Sequence, residues 1–473
     1  MSVPTTFHEF FRRSKEKYKE TGLPPFKYME GREVVTVSAE EFFSDLAALA
    51  EEFVRRGYAD QHIGLMGKNS YLWMLTYCAL MEAGAVPILL SRDLNPHEVA
   101  EYCKKTDTFT VVCDEEASQS VPTEAGLCAA PLAKAAAPAT GIPLPTRGWE
   151  ELGTIIFTSG TTGDAKAVML SNKGLLTAFW TPIKPYRTFV TGLTVMPYHH
   201  LAGFGTAADS FPRGSTNVIG ESPKYLMRYI RAAEPEYMLV VPELMEVMAQ
   251  RLRTAKPGEK PLGKVTMLYC AGAKFPVDTV KIFAEHNIEL WHVYSASESG
   301  GYGIVHPLDV NDPTCLGPTD EVMEGKIVDG ELLLRGDTIM MGYYNDPEAT
   351  ATVLTDGWYH TGDLFQVDER GYYYMTGRKK NLIILSNGEN VSPEELETML
   401  RGCPFVEEVR VKEKNNFLCA EIFPTENTET ARNAVEDFLD QQNDTLPTYK
   451  QIHFLEFRDT PFEKTSTGKI KRA

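Results

Sequence analysis

The segment Ile155-Ile156-Phe157-Thr158-Ser159-Gly160-Thr161-Thr162-Gly163-Asp164-Ala165-Lys166 runs from an apolar stretch into hydroxyls and glycines and ends on a lysine. Glycines let backbone N–H groups approach phosphate oxygens, hydroxyls add donors, and the lysine adds charge. The order is not Gly-x-x-x-x-Gly-Lys-Ser/Thr, so the common NTPase loop is excluded. By composition alone the segment also fits an ordinary Ser/Thr/Gly turn. Glu298, closing Tyr294-Ser295-Ala296-Ser297-Glu298, offers a hard oxygen ligand for a cation such as Mg²⁺, or reads as a solvated turn residue. His199 and His200 follow a strand; such a pair is more often satisfied structure than a metal site.

A framework must hold these segments. Ser38 and Glu41 have capping-box spacing, Phe42, Leu46, Leu49 and Phe53 share a helical face, and Gly57 closes the helix. His62–Met66 and Val86–Leu90 read as buried strands, with a helix over about 69–82 between them. A helix over 98–105 and a strand over 109–113 continue the alternation, which predicts a parallel α/β sheet. Residues 117–146, rich in Ala and Pro, read as a surface connection. Apolar strands resume at 154–157, 193–196, 238–241, 265–269 and 289–293. From Gly325 the texture turns to short strands and Gly-rich turns, a β subdomain. Beyond Gly377, Ser392-Pro393-Glu394-Glu395 marks a helix start among mixed strands and helices, enough for a small α+β domain. No internal repeat is present.

The chain has 473 residues, beyond the roughly 250–300 that one core supports, so two or more domains are expected. Hydrophobic residues make up 43% and charged residues 24%, ordinary for a globular protein. The net charge of −18 repels phosphate backbones and anionic headgroups, which argues against nucleic acid as a partner. Eight scattered cysteines without a CxxC pair read as buried reduced thiols. The N-terminus lacks the apolar core of a signal peptide, and no apolar run reaches membrane-spanning length, so a cytoplasmic location is expected.

The 155–166 string resembles the phosphate loop of the acyl-adenylate-forming superfamily, which includes acyl-CoA synthetases, adenylation domains of nonribosomal peptide synthetases and luciferases. Further motifs follow in the family's order over 149–473. Pro197-Tyr198-His199-His200-Leu201-Ala202-Gly203 resembles the segment beside the acyl pocket, with Tyr198, His200 and Gly203 at the matching positions. Cys270-Ala271-Gly272-Ala273 resembles the small-residue turn at adenine. Tyr294-Ser295-Ala296-Ser297-Glu298 is similar to Tyr-Gly-x-Thr-Glu, with Ser295 replacing Gly and Ser297 replacing Thr. Gly342-Tyr343-Tyr344-Asn345-Asp346-Pro347, Gly357-Trp358-Tyr359-His360-Thr361-Gly362-Asp363 and Gly377-Arg378-Lys379-Lys380 are close to acyl-CoA synthetases, as is the tail ending Gly468-Lys469-Ile470. Ala165-Lys166-Ala167 departs from the usual Pro-Lys-Gly, and Asn172 stands where a histidine is common.

The resemblance implies an α/β protein. Its large N-terminal AMP-binding domain, 1–377, would carry a β-barrel-like subdomain at about 316–377. A small mobile C-terminal α+β lid, 378–473, would carry the adenylation lysine. It implies ATP bound by Thr158, Ser159, Gly160, Thr161, Thr162, Gly163, Gly272, Ala273, Tyr294 and Ser297, with Asp363 and Arg378 on the ribose. Glu298 would hold Mg²⁺, Lys166 and Lys469 would act in catalysis, and Lys380 would be the hinge. The reaction implied is activation of a carboxylic acid to an acyl-adenylate with release of pyrophosphate, then transfer to coenzyme A. The pocket stretches show apolar residues such as Phe204, Leu239, Leu244 and Met245 and no evident basic partner for a second acid group, so a fatty or other apolar acid is expected. The alternatives are an acyl-AMP ligase loading the phosphopantetheine thiol of a carrier protein, and a non-enzymatic nucleotide-binding module.

Overall fold

Three short polar residues start the first α/β layers. Ser38 and Ser70 accept the backbone N–H groups of Glu41 and Trp73, starting helices Ala39–Arg55 and Tyr71–Glu82. The full reciprocal capping box falls not at Ser38 but at Asn95 and Glu98, where helix Pro96–Lys105 begins. The computed structural model describes residues 2–158, 165–181, 189–271, 277–385, 389–464 and 470.

His62–Met66 lies between Val86–Leu90 and Thr110–Cys113, all parallel, because each is an apolar run that buries both faces under helices. Leu152–Thr158 adds in parallel to Val86–Leu90, and Lys166–Ser171 returns antiparallel beside it. The Ala/Pro-rich stretch corrects an expectation. It is not only a connection, since Cys128–Pro131 pairs in parallel with Thr110–Cys113 and extends the sheet to seven strands. Backbone pairing needs no large side chain, so small residues hid this strand. Its continuation is pinned by Glu51, whose carboxylate accepts the N–H groups of Thr140, Gly141 and Ile142.

A second sheet of eight strands runs through Tyr237–Val240, Met267–Ala271 and Glu289–Ser295. Helix Tyr71–Glu82 is buried on nearly all sides between the layers. Trp73 meets Tyr198 at 5.1 Å between ring centres, and Tyr77 meets Phe204 at 5.0 Å. An antiparallel β unit follows, with Glu331–Gly336, Trp358–Val367 and Tyr373–Arg378 as neighbours. Three strands, Val406–Lys414, Phe417–Pro424 and Ile452–Phe457, form the C-terminal sheet with helices Pro393–Leu400 and Glu429–Asn443. Val391, Leu396, Val411, Ile422 and Val435 give this unit its own core. The fold is therefore mixed α/β with a large N-terminal part and a smaller α+β C-terminal part. The division expected after Gly377 falls inside strand Tyr373–Arg378. Ser392 starts Pro393–Leu400 as expected but does not cap it. Its hydroxyl donates to the carbonyl of Thr376 at 2.7 Å instead, tying the helix to that strand.

Candidate active site

Asp363 and Arg378 occupy directly paired positions on neighbouring antiparallel strands. Arg378 Nε stands 2.8 Å from Asp363 Oδ1, and the Tyr294 phenol donates to Oδ2 at 2.8 Å. Tyr294 is the penultimate residue of strand Glu289–Ser295 of the eight-stranded sheet, so one buried carboxylate joins two sheets. Burial, reinforced by the Asp363 charge, pushes the Tyr294 phenol well above its ordinary value and keeps it a donor. Phe365 packs edge-on against Tyr294 at 4.9 Å.

Glu298 stands in the turn that follows Tyr294, on the same stretch as Ser297. Its backbone carbonyl accepts Met340 N–H at 2.9 Å, and Oε1 accepts the Tyr343 hydroxyl at 3.0 Å. Gly300, in the same turn, has φ +65°, and a Cβ there would lie 2.4 Å from the Thr338 carbonyl oxygen. The Lys166 ammonium lies over the Tyr343 ring, 4.6 Å from its centre. Lys166 and Thr158 are paired residues at the base of the hairpin, and Lys105 donates to the Ala165 carbonyl at 2.7 Å. Burial, and then the charge of Glu298, push the buried Tyr359 phenol well above its ordinary value.

The His-bearing turn is closely packed. Tyr198 is 1% exposed and packs on Trp73, so it backs the turn rather than facing open space. Gly203 is required sterically: a Cβ there would lie 2.1 Å from the Pro197 carbonyl oxygen. His200 is the N-cap residue of helix Leu201–Ala208, and its ring stands 4.3 Å from that of His199. Burial lowers both imidazoles, His199 to about 3 with His200 adding to the effect, so both are neutral at pH 7. Asn69, buried, donates to the carbonyls of Met196 and Gly220 and accepts Tyr198 N–H, fixing this turn to the other sheet.

Lys380 lies in a short 3₁₀ turn, Lys379–Asn381. Partial burial and the nearby Arg378 lower its pKa, against the pull of Asp363 and Glu394. Beside it Lys379 pairs with Glu331, a buried carboxylate that also accepts Gly362 N–H. Ser159, Gly160, Thr161, Thr162, Gly163, Gly272, Ala273 and Lys469 lie outside the described residues.

The structure thus brings Asp363, Arg378 and Tyr294 together, and links Glu298 to Lys166 through Tyr343. Reasoning from sequence did not single out Tyr343, Asn69, Lys105 or Tyr359. Tyr343 and Tyr359 lie within the 342–347 and 357–363 motifs, and that placement was the available signal.

Two α/β layers, a β unit and a C-terminal α+β unit make up the fold that carries this cluster. The chain matches the model of the AMP-binding enzymes over residues 10–344 and that of the AMP-binding enzyme C-terminal domain over 380–473. It belongs to the AMP-binding enzymes, the acyl-adenylate-forming superfamily. It is similar to the fatty acid–[acyl-carrier-protein] ligase MmaC of Mycobacterium marinum, 27% identical over 411 residues, 76% of this chain and 75% of that one. It is also similar to a 2-succinylbenzoate–CoA ligase of Listeria innocua, 25% identical over 467 residues, 92% of each chain. The ATP-bound structure of MatB from Rhodopseudomonas palustris has the same fold, with a TM-score of 0.83 over 98% of this chain and 97% of that one at 21% identity.

Proposed function

We propose that the chain uses ATP to convert a carboxylic acid to an acyl-adenylate, releases pyrophosphate, and passes the acyl group to the thiol of coenzyme A. The observation that carries this reading is the Asp363–Arg378–Tyr294 cluster beside Glu298 and Lys166. A carboxylate substrate is ionised above pH ~5, so no base is needed to create the nucleophile. The barrier is repulsion between that anion and the triphosphate, and its remedy is positioning and charge compensation. Tyr294 and Arg378 fix the Asp363 carboxylate, so ribose hydroxyls would meet an oriented acceptor. Thr158, Ser159, Gly160, Thr161, Thr162 and Gly163 would cradle the phosphates beside Lys166, with Ser297 adding a hydroxyl. Gly272 and Ala273 would leave room for adenine.

Glu298 would hold the Mg²⁺ that accompanies ATP. A single carboxylate suits an ion that keeps its waters and phosphate oxygens, and no group of three or more His, Cys, Asp or Glu ligands occurs among the described residues. When bound, that ion neutralises phosphate charge. Lys469 would bridge the carboxylate and the α-phosphate as the new O–P bond forms and the bond to pyrophosphate breaks. In the second step the thiol attacks the acyl carbonyl and AMP leaves. We assign residues 1–377 to the nucleotide domain and 378–473 to a lid that turns about Lys380 between the two steps.

The acid is assigned as apolar, fatty or aryl. His199 and His200 are both held neutral, so this turn offers no cation for a second carboxylate. His200 and Gly203 would shape the acyl pocket, with Tyr198 behind them. No helix of the described residues is long and apolar enough to cross a membrane, and all eight cysteines are unpaired, which fits a cytoplasmic enzyme. A second reading, transfer to a carrier protein, is favoured by the similarity to MmaC. The test is a pyrophosphate-release screen over fatty, aryl and amino acids, with CoA, with a phosphopantetheinylated carrier protein, and with neither. An acyl-CoA product from a fatty or aryl acid supports the first reading. Acyl-carrier product alone supports the second.

A further inference from the structure

One segment touches both halves of the phosphate side of the site. Met341 N–H donates to the Met169 carbonyl and Tyr344 N–H to the Ala167 carbonyl, so 341–344 is laced along strand Lys166–Ser171. Just before it, Thr338 donates its hydroxyl to the Ser299 carbonyl and Met340 donates its N–H to the Glu298 carbonyl. The stretch from Thr338 to Tyr344 therefore sets the distance between the lysine-bearing strand and the glutamate-bearing turn. Within it, the Tyr343 side chain reaches across. The Tyr343 hydroxyl donates to Glu298 Oε1 at 3.0 Å while the ring lies beneath the Lys166 ammonium.

We infer that Tyr343 is a positioning residue that presents the Glu298 carboxylate to the nucleotide's divalent cation and holds Lys166 in register with it. The inference rests on the reading of Glu298 as the cation ligand. One hydrogen bond to Oε1 fixes the carboxylate plane and leaves Oε2 and a second lone pair of Oε1 for the cation. The aromatic face stabilises a lysine ammonium without neutralising it, as a carboxylate partner would. Both effects place the charges before ATP arrives, so less ordering remains to be done on binding.

The test compares Tyr343→Phe with Glu298→Gln and the parent chain. Tyr343→Phe keeps the ring under Lys166 and removes only the donor to Glu298. Two readouts are taken: equilibrium binding of Mn²⁺ in the presence of ATP, followed by the loss of the free-ion electron paramagnetic resonance signal, and the Mg²⁺ dependence of acid-dependent pyrophosphate exchange. In Tyr343→Phe both half-saturation concentrations should rise roughly tenfold, the scale of one hydrogen bond to a charged group, while the KM for the acid stays within about twofold. If Glu298→Gln moves both titrations and Tyr343→Phe moves neither, Tyr343 has no positioning role and the inference is wrong. If neither variant moves either titration, Glu298 is not the cation ligand, and the underlying reading fails with it. A Tyr343→Phe loss of exchange with unchanged Mn²⁺ binding would likewise overturn the inference.

Discussion

Arg378 Nε meets Asp363 Oδ1 at 2.8 Å across directly paired strand positions, and this contact orients the carboxylate on which the ribose assignment depends. Asp363→Asn leaves Arg378 without its anion and weakens the acceptor toward Tyr294. Arg378 is about one-third exposed, so solvent screening limits the stability loss to about 1–2 kcal/mol. The KM for ATP should rise tenfold or more, with a smaller change in the KM for the acid. Steady-state kinetics with each substrate varied in turn checks this; an unchanged KM for ATP would remove Asp363 from the nucleotide site.

Gly203 and Gly205 lie in one short helix and should respond oppositely to alanine. A Cβ at Gly203 would press on the Pro197 carbonyl, backbone that cannot swing away, and should cost about 2–3 kcal/mol. A Cβ at Gly205 meets nothing within 4 Å, and Gly205→Ala should be neutral or stabilising by about 0.5–1 kcal/mol. Urea unfolding of the two variants provides the comparison. Equal midpoints would mean the turn at Pro197 yields more easily than its geometry indicates.

His199 provides a pH dependence with a definite sign. Burial, and then the neighbouring His200, lower its pKa from 6.5 to about 3. Between those values the unfolded chain binds a proton at this site and the folded chain does not. Folding stability from this group therefore falls as pH drops below 6.5, by at most about 1.4 kcal/mol per pH unit. His199→Gln should remove that share, so the parent chain should lose more stability than the variant between pH 7 and pH 5. Parallel losses in both would show that His199 is protonated as readily folded as unfolded.

Glu51 has the same sign in a lower pH window. The N–H of Thr140, then the Thr140 hydroxyl and the N–H groups of Gly141 and Ile142, lower its carboxyl from 4.5 to about 2. Its stabilisation is complete above pH 4.5 and is lost as pH falls through about 2. Glu51→Gln should speed hydrogen exchange at Thr140, Gly141 and Ile142 at pH 7, with little change at Ile63 or Leu65. Unaltered exchange at those three amides would contradict the anchor.

Local signals in the sequence carried much of the fold. His62–Met66 and Val86–Leu90 were legible to the residue because apolar runs there are bounded by turn residues. The strand expected at 193–196 is Thr191–Thr194, since Val195 and Met196 stay buried after the strand ends and prolong the apolar signal. Cys128–Pro131 was hidden because its pairing is made by backbone. The site was legible only where a motif held its residues in line. What joins the motifs is long-range: Tyr294 to Asp363, 69 residues apart, Tyr343 to Glu298, 45 apart, and Asn69 to Tyr198, 129 apart. No spacing rule reaches that far, and Ser392, a cap by sequence, was captured by a carbonyl 16 residues away.

The central claim is that the chain makes an acyl-adenylate before any thiol takes part. The most direct measurement is exchange of labelled pyrophosphate into ATP, with candidate acids present and CoA and carrier protein absent. Acid-dependent exchange, abolished in Lys469→Ala, is the predicted result. Exchange that appears only when a thiol is added, or none with fatty, aryl or amino acids while the folded protein binds ATP, would contradict it.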